Sequence, residues 1–232
     1  MYAAASGMAA QQQNLDVIAN NLANADVAGF KGAQLSFASL GGGALLGTAT
    51  TGLTHVFDQG KLMKTGGAFD LAIDGPGFFP VERNGERGFT RAGSFSRASD
   101  GSVRNVDGWQ LSGLRIPADA ASVAVAPDGT VCVDGKRAIG RVRLVRFDAP
   151  EYVRAIGSAV FGATRDSGAP HAQPAGGDRQ PKIAFGMLER SNVSIIEAMM
   201  QILAAQRAYE ANAKGVQAAD EMLRIANNLH RS

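Results

Sequence analysis

The sequence predicts an α+β fold in which N- and C-terminal helices pair as a coiled-coil-like stalk carrying a central antiparallel all-β domain. Three observations predict it. Apolar residues recur seven apart at both ends of the 232-residue chain, six Asx-Gly pairs punctuate its middle, and two stretches without periodicity separate the ends from the middle.

The first element covers residues 1–30. Met1, Met8, Leu15 and Leu22 share one heptad position and Ala4, Gln11, Ile18 and Ala25 share its companion, so the helix carries one narrow apolar stripe. Gly29 supplies the stop signal. Residues 31–53, with SLGGGALLGTATTG, read as a linker. The β domain is expected over 54–190, where Asp74, Asn84, Asp100, Asp107, Asp128 and Asp134 each precede glycine between short segments such as GFFPV, SVAVA and TVCV. Asx-Gly supplies the positive backbone angles that tight hairpins require. The stretch DSGAPHAQPAGGDRQP places a mobile loop at about 166–182.

The last element, 191–232, mirrors the first. Ile195, Ile202, Tyr209, Val216 and Leu223 are seven apart, with Ala198, Ala205, Ala219 and Ala226 adjoining and Asn212 interrupting that second series. Ser194 followed by Glu197 reads as a capping box at the helix start. The word IANNL occurs at 18–22 and again at 225–229, as though one packing problem were solved twice. Loop closure costs entropy only logarithmically in length, so the two ends can meet across the whole β region.

Composition excludes several classes. The net charge of +2, from 23 basic and 21 acidic residues, gives no field that argues for nucleic acid or an anionic membrane. The single cysteine, Cys132, rules out an internal disulfide framework and a multi-Cys zinc site. The N-terminal residues lack the basic and apolar regions of a secretory signal, and there is no run of roughly 18 apolar residues.

Catalytic patterns are equally absent. His55, His171 and His230 lie in three regions without metal-ligand spacing to acids, and there is no G-x-S-x-G elbow or P-loop. Gly75-Pro76-Gly77 fails as a dinucleotide fingerprint because position 80 is proline. A hydrolase built on Asp70 or Asp74 would rest on carboxylates near a loop and nothing else. The expectation is a non-enzyme with no cofactor, no metal and no small-molecule substrate.

What the ends offer instead is self-association. Narrow seams of Ala and Met bury little area, so a lone helix pair is marginal until another surface completes it. Asn20, Asn21, Asn24, Gln206 and Asn212 put uncharged amides where a solvated helix more often carries Glu and Lys, which suits packed, hydrogen-bonded contact between chains. The expected self-assembly set is Met8, Leu15, Ile18, Asn20, Asn21, Leu22 and Asn24 with Ile195, Ile202, Gln206, Tyr209, Asn212, Val216 and Leu223; Ser194 and Glu197 are the helix cap.

NLDVIANNLANADVAGFK, residues 14–31, closely resembles the N-terminal signature of the bacterial flagellar axial proteins of rod and hook, and residues 191–223 resemble their C-terminal one. FDLAIDGPGFFPV, GFTRAGSFSRASDGSVRNVDGWQLSG and IPADAASVAVAPDGTV are similar to the β-domain signatures of the rod proteins, so the likeness covers most of the chain. QRAYEANAK and the GFF at 77–79 resemble the distal-rod branch most and the proximal-rod branch next. Val27 stands where the signature has threonine and Ser194 where it has aspartate, and the link after Lys31 is shorter than distal-rod proteins commonly carry, which leaves the proximal branch open.

The resemblance implies a structural subunit of the basal-body rod, a tubular drive shaft passing torque from motor to hook. Its terminal helices would pack with copies of itself and with other axial proteins, and the β domain would face outward toward the surrounding ring bushing. The subunit would reach a rod spanning the periplasm through the flagellar type III export apparatus, without a cleavable signal. The alternatives are a hook-type axial protein and a coiled-coil adaptor that recruits a client through its β domain.

Overall fold

Tyr2–Ala23 forms the first helix, α1, from a run rich in Ala and Gln, residues that favour helix. Beyond Ala23 the chain turns, with the Val27 N–H donating to the Asn24 carbonyl at 3.1 Å. Gly29 then takes φ +69°, and a Cβ there would stand 2.3 Å from the backbone nitrogen of Ala92, so both conformation and space require glycine. This computed structural model describes residues 2–40, 47–135 and 137–229.

The chain divides into two units: a helical unit of Met1–Ala23, Ala33–Thr54 and Val193–Ser232, and a β unit of Asn24–Gly32 and His55–Asn192. In the helical unit, strands β1 (Ala33–Leu40) and β2 (Gly47–His55) pair with one another, in the stretch read as a linker. The side chain of Asn21 on α1 clasps β1: its Nδ2 donates to the Ala33 carbonyl at 2.7 Å, and its Oδ1 accepts the Ala33 N–H at 2.9 Å. The second helix, α2, runs Ile195–Leu229 for 35 residues, about 52 Å against about 33 Å for the 22 residues of α1. At its start the Ser194 hydroxyl accepts the Glu197 N–H at 3.4 Å, while the Glu197 carboxylate receives Gln201 Nε2 at 3.5 Å.

The coiled-coil-like stalk expected from the heptads is not what forms, and this corrects the sequence reading. The helices run antiparallel and touch through small residues: Ala198 and Ala205 are buried, and a Cβ on Gly7 would meet the Asn212 amide at 3.0 Å. A coiled coil would have buried the large residues of the seam. Instead Ile195 and Tyr209 are exposed, and Met8, Leu15, Leu22, Ile202 and Val216 are only half-buried. The alanine stripe beside the seam permits the closer approach and so faces inward.

The β unit is built on a seven-stranded sheet in the order Arg154–Ala155, Val160–Gly162, Glu86–Thr90, Phe79–Arg83, Gln110–Arg115, Ser102–Arg104, Ser96–Arg97, with antiparallel neighbours. Val123–Val125, Thr130–Val133 and Arg137–Arg141 make a three-stranded sheet. All six glycines of the Asx-Gly pairs have positive φ, and Asn84-Gly85 closes its hairpin with φ of 51° and 82°, as a type I′ turn demands. The core gathers around Trp109, Phe79, Leu111, Ile116 and Ile73, and a second cluster contains Phe78, Phe89, Phe147, Val153 and Phe161. Within 166–182, His171–Gln173 pairs with Leu144–Arg146.

The last strands of the unit return to its first. Lys182–Phe185 pairs with Leu71–Asp74, and Met187–Glu189 with Leu62–Lys64. The Gly29 N–H donates to the Glu189 carbonyl at 2.7 Å and the Arg190 N–H to the Lys61 carbonyl at 2.9 Å, so the segments entering and leaving the β unit are stitched together.

Candidate assembly interface

A run of exposed apolar side chains lies on the first turns of α2. Ile196, Met199, Met200 and Leu203 are each between 52% and 74% exposed, and Ile195 joins them. At 100° per residue these five side chains span about 140° of the helix surface. That arc is centred opposite the line of Ala198, Ala205 and Asn212 that meets α1. Further along, Met222 and Ile225 are exposed as well. Isolated exposed leucines are ordinary, but a contiguous stripe of Met, Ile and Leu marks a surface meant to be covered, and Met adapts to irregular partners.

Of the residues expected from sequence, the structure brings Ile195 and Tyr209 to the surface of α2 with Gln206, and exposes Asn20 on α1. Ile18 is buried. Asn21 is engaged within its own unit by β1, and Asn24 in the β unit accepts the Ser158 hydroxyl at 3.2 Å. Asn212 packs beside Gly7. Leu223 falls within α2, but its side chain lies outside the described residues, as does all of His230. Met8, Leu15, Leu22, Ile202 and Val216 are half-buried. An open groove of about 470 Å³ runs along the helical unit, lined by Gln11, Asn14, Val17, Leu35, Gln201 and Ala208 among others.

Sequence reasoning missed Ile196, Met199, Met200 and Leu203. The signal was present in IIEAMMQILAA, where adjacent apolar pairs make the apolar surface too wide for one heptad seam.

In the β unit a buried ionic cluster fixes the junction of entering and leaving segments. Glu189 Oε1 accepts Lys31 Nζ at 2.7 Å and the Gly60 N–H at 2.8 Å, and Glu189 Oε2 accepts Arg91 Nε at 2.9 Å. Lys31 also donates to the Asp58 carbonyl at 2.6 Å, and Arg91 Nη1 to the Gly75 and Gly77 carbonyls, each at 2.8 Å. Lys31 and Glu189 are fully buried and Arg91 is 3% exposed. Burial holds the Lys31 ammonium below the ordinary lysine range, with Glu189 pulling the other way. Beside it, Asn192 accepts the Gly32 N–H at 2.9 Å and donates to the Val56 carbonyl at 2.7 Å. These polar groups are spent on one another and on the backbone.

Among the described residues no group of three or more His, Cys, Asp or Glu is placed to hold a metal, and no helix is long and apolar enough to cross a membrane.

Comparison with known proteins agrees with that geometry. Residues 1–31 match the family model described as "Flagella basal body rod protein", 72–133 that described as "Flagellar hook protein FlgE/F/G D1 domain", and 185–229 that described as "Flagellar basal body rod FlgEFG protein C-terminal". The chain is 35% identical to the flagellar basal-body rod protein FlgG of Borreliella burgdorferi, covering 100% of this chain and 98% of that one. It is 32% identical to FlgG of Agrobacterium fabrum, over 97% and 96% of the two chains, and 33% identical to the rod protein FlgF of Caulobacter vibrioides, over 97% and 95%. The first alignment runs over 260 positions against the 232 residues here, so that relative carries residues this chain lacks.

Proposed function

Because the chain belongs to the family of flagellar basal-body rod proteins, most like FlgG with FlgF next, and is a structural subunit of the rod, we propose that it joins its neighbours chiefly through α2. The observation that carries this is the stripe of Ile195, Ile196, Met199, Met200 and Leu203, turned away from α1. The stripe closes against terminal helices of adjacent copies and of other axial proteins, and the amides at Asn20 and Gln206 supply polar contacts at its margin. The result is a tubular wall stiff enough to carry torque from motor to hook. The subunit acts without catalysis, reaches the growing rod across the periplasm through the type III export apparatus, and meets the ring bushing through its β unit.

The test places a charge on the stripe. Leu203→Asp and Met199→Asp are expected to abolish polymer formation by the purified chain and motility in a complemented deletion strain, since an unpaired charge buried at the contact costs several kcal/mol. Both sites are exposed, so the unfolding midpoint reported by Trp109 should stay unchanged. Normal swimming by both variants would refute the assignment.

A further inference from the structure

The turn Asn105–Gly108 in the β unit projects a side chain that its own fold does not use. Val106 is 98% exposed, although the hairpin needs only the Asp107-Gly108 pair for its geometry, Gly108 having φ +80°. Elsewhere in the same unit lies a cavity of about 190 Å³ walled by Phe57, Phe78, Phe147, Pro76 and Pro150, with Arg146 at its side. The rings form a rigid lining: Phe57 meets Phe78 edge-on at 5.0 Å, and Phe78 meets Phe147 at 5.6 Å. A cavity of about 150 Å³ holds benzene, so this one admits a branched aliphatic side chain. Arg91, deeper in the wall, is occupied by Glu189 and two carbonyls. Arg146 is exposed and enters no ion pair among the described residues.

We propose that Val106 of one copy seats in the Phe57–Phe78–Phe147 cavity of the next, with Asp107 pairing to Arg146 across the contact. Charge complementarity favours this occupant, because the apolar knob carries its carboxylate on the following residue and the apolar hole carries its guanidinium at the side. Knob and hole are different patches. The turn joins strands toward one side of the seven-stranded order, whereas the aromatic cluster of the hole includes Phe89 and Phe161 from strands toward the other. Such a contact is heterologous: it does not close on itself as a two-fold dimer does, and repeated without ring closure it generates an open helical array. The inference rests on the rod reading and adds to it a β-to-β contact independent of the helix stripe.

The test uses the full chain with Cys132→Ser, into which Val106→Cys and Pro150→Cys are placed separately. Under mild oxidation, a mixture of the two variants should give about fivefold more disulfide-linked dimer than either alone. Equal yields would overturn the proposal and leave the cavity to another partner. In the second arm, Asp107→Arg and Arg146→Asp should each raise the critical concentration for polymerisation about tenfold, and the double variant should restore it to within about threefold. Single variants without effect, or a double variant worse than both, would also overturn it. Should the parent chain form no polymers at all, the assembly reading fails instead, and the disulfide yield still decides the knob-and-hole contact.

Discussion

Replacing Glu189 by glutamine keeps shape and volume but removes the carboxylate that contacts both Lys31 and Arg91. Three donors converge on Oε1, namely Lys31 Nζ, the Gly60 N–H and Arg91 Nη2 at 3.3 Å, and Arg91 Nε holds Oε2. In the variant an amide nitrogen must point its own hydrogens at one of these donors, and two buried cations lose the carboxylate they contact. Breaking a buried pair by removing one partner costs about 3–5 kcal/mol, whereas an exposed pair such as Arg137–Asp119 is worth less than about 1 kcal/mol. With a urea dependence of about 2 kcal/mol/M, the midpoint should fall by about 1.5–2.5 M. Trp109, the single tryptophan and buried in the core of the same unit, reports the transition by fluorescence, with Asp119→Asn as the control. A midpoint within about 0.5 M of the parent would refute the claim that this cluster secures the junction, since that shift is worth only about 1 kcal/mol.

Three further outcomes follow from the packing. Gly88→Ala would drive its Cβ to 2.6 Å from Val160 Cγ1 and 2.9 Å from Trp109 Cζ3; overpacking of this kind costs about 1–3 kcal/mol, and the Trp109 emission maximum should move with the midpoint. Asn21→Ala removes both hydrogen bonds to Ala33, so amide exchange at Ala33 should accelerate about five- to thirtyfold by loss of about 1–2 kcal/mol, while Trp109 unfolding stays unchanged. Burial against Phe57 and Phe161 holds the His55 imidazole below its ordinary value of 6.5. The folded chain therefore takes up that proton less readily than the unfolded chain, and this contribution leaves stability level above pH 6.5 and lowers it as pH falls below. Denaturant midpoints at pH 7.5 and 5.5 should differ in the parent and converge in His55→Gln.

Features encoded within a few residues are legible in the sequence itself. The Asx-Gly pairs announce positive φ because no side chain is needed to produce it, and Ser194 announces a helix start because its hydroxyl serves a backbone group three residues on. The facing of the helices is not legible. A heptad count finds a stripe of Ile and Tyr beside a stripe of Ala, and periodicity alone cannot say which of two adjacent stripes turns inward; close approach selects the smaller. The strand 47–55 gives little signal because GTATTGLTH mixes Gly, Ala and Thr without an alternating apolar face; in 33–40 Ala33, Leu35 and Phe37 do alternate with Gln34 and Ser36, a short signal beside the glycine run that follows, and β1 owes part of its support to Asn21, twelve residues away. Lys31, Arg91 and Glu189 lie 60 and 98 residues apart, and each reads locally as a solvated charge. Only the fold that buries them together reveals that they depend on one another.

The stitching of Asn24–Gly32 to Arg190–Asn192 fixes where mechanical load falls. Tension applied at the two ends of the β unit arrives first at Glu189, Lys61 and Asn192, which work together as a rivet, and the long sheet behind them carries strain only after that rivet fails. A β unit wired in this way holds its two ends together at one point, away from the sheet.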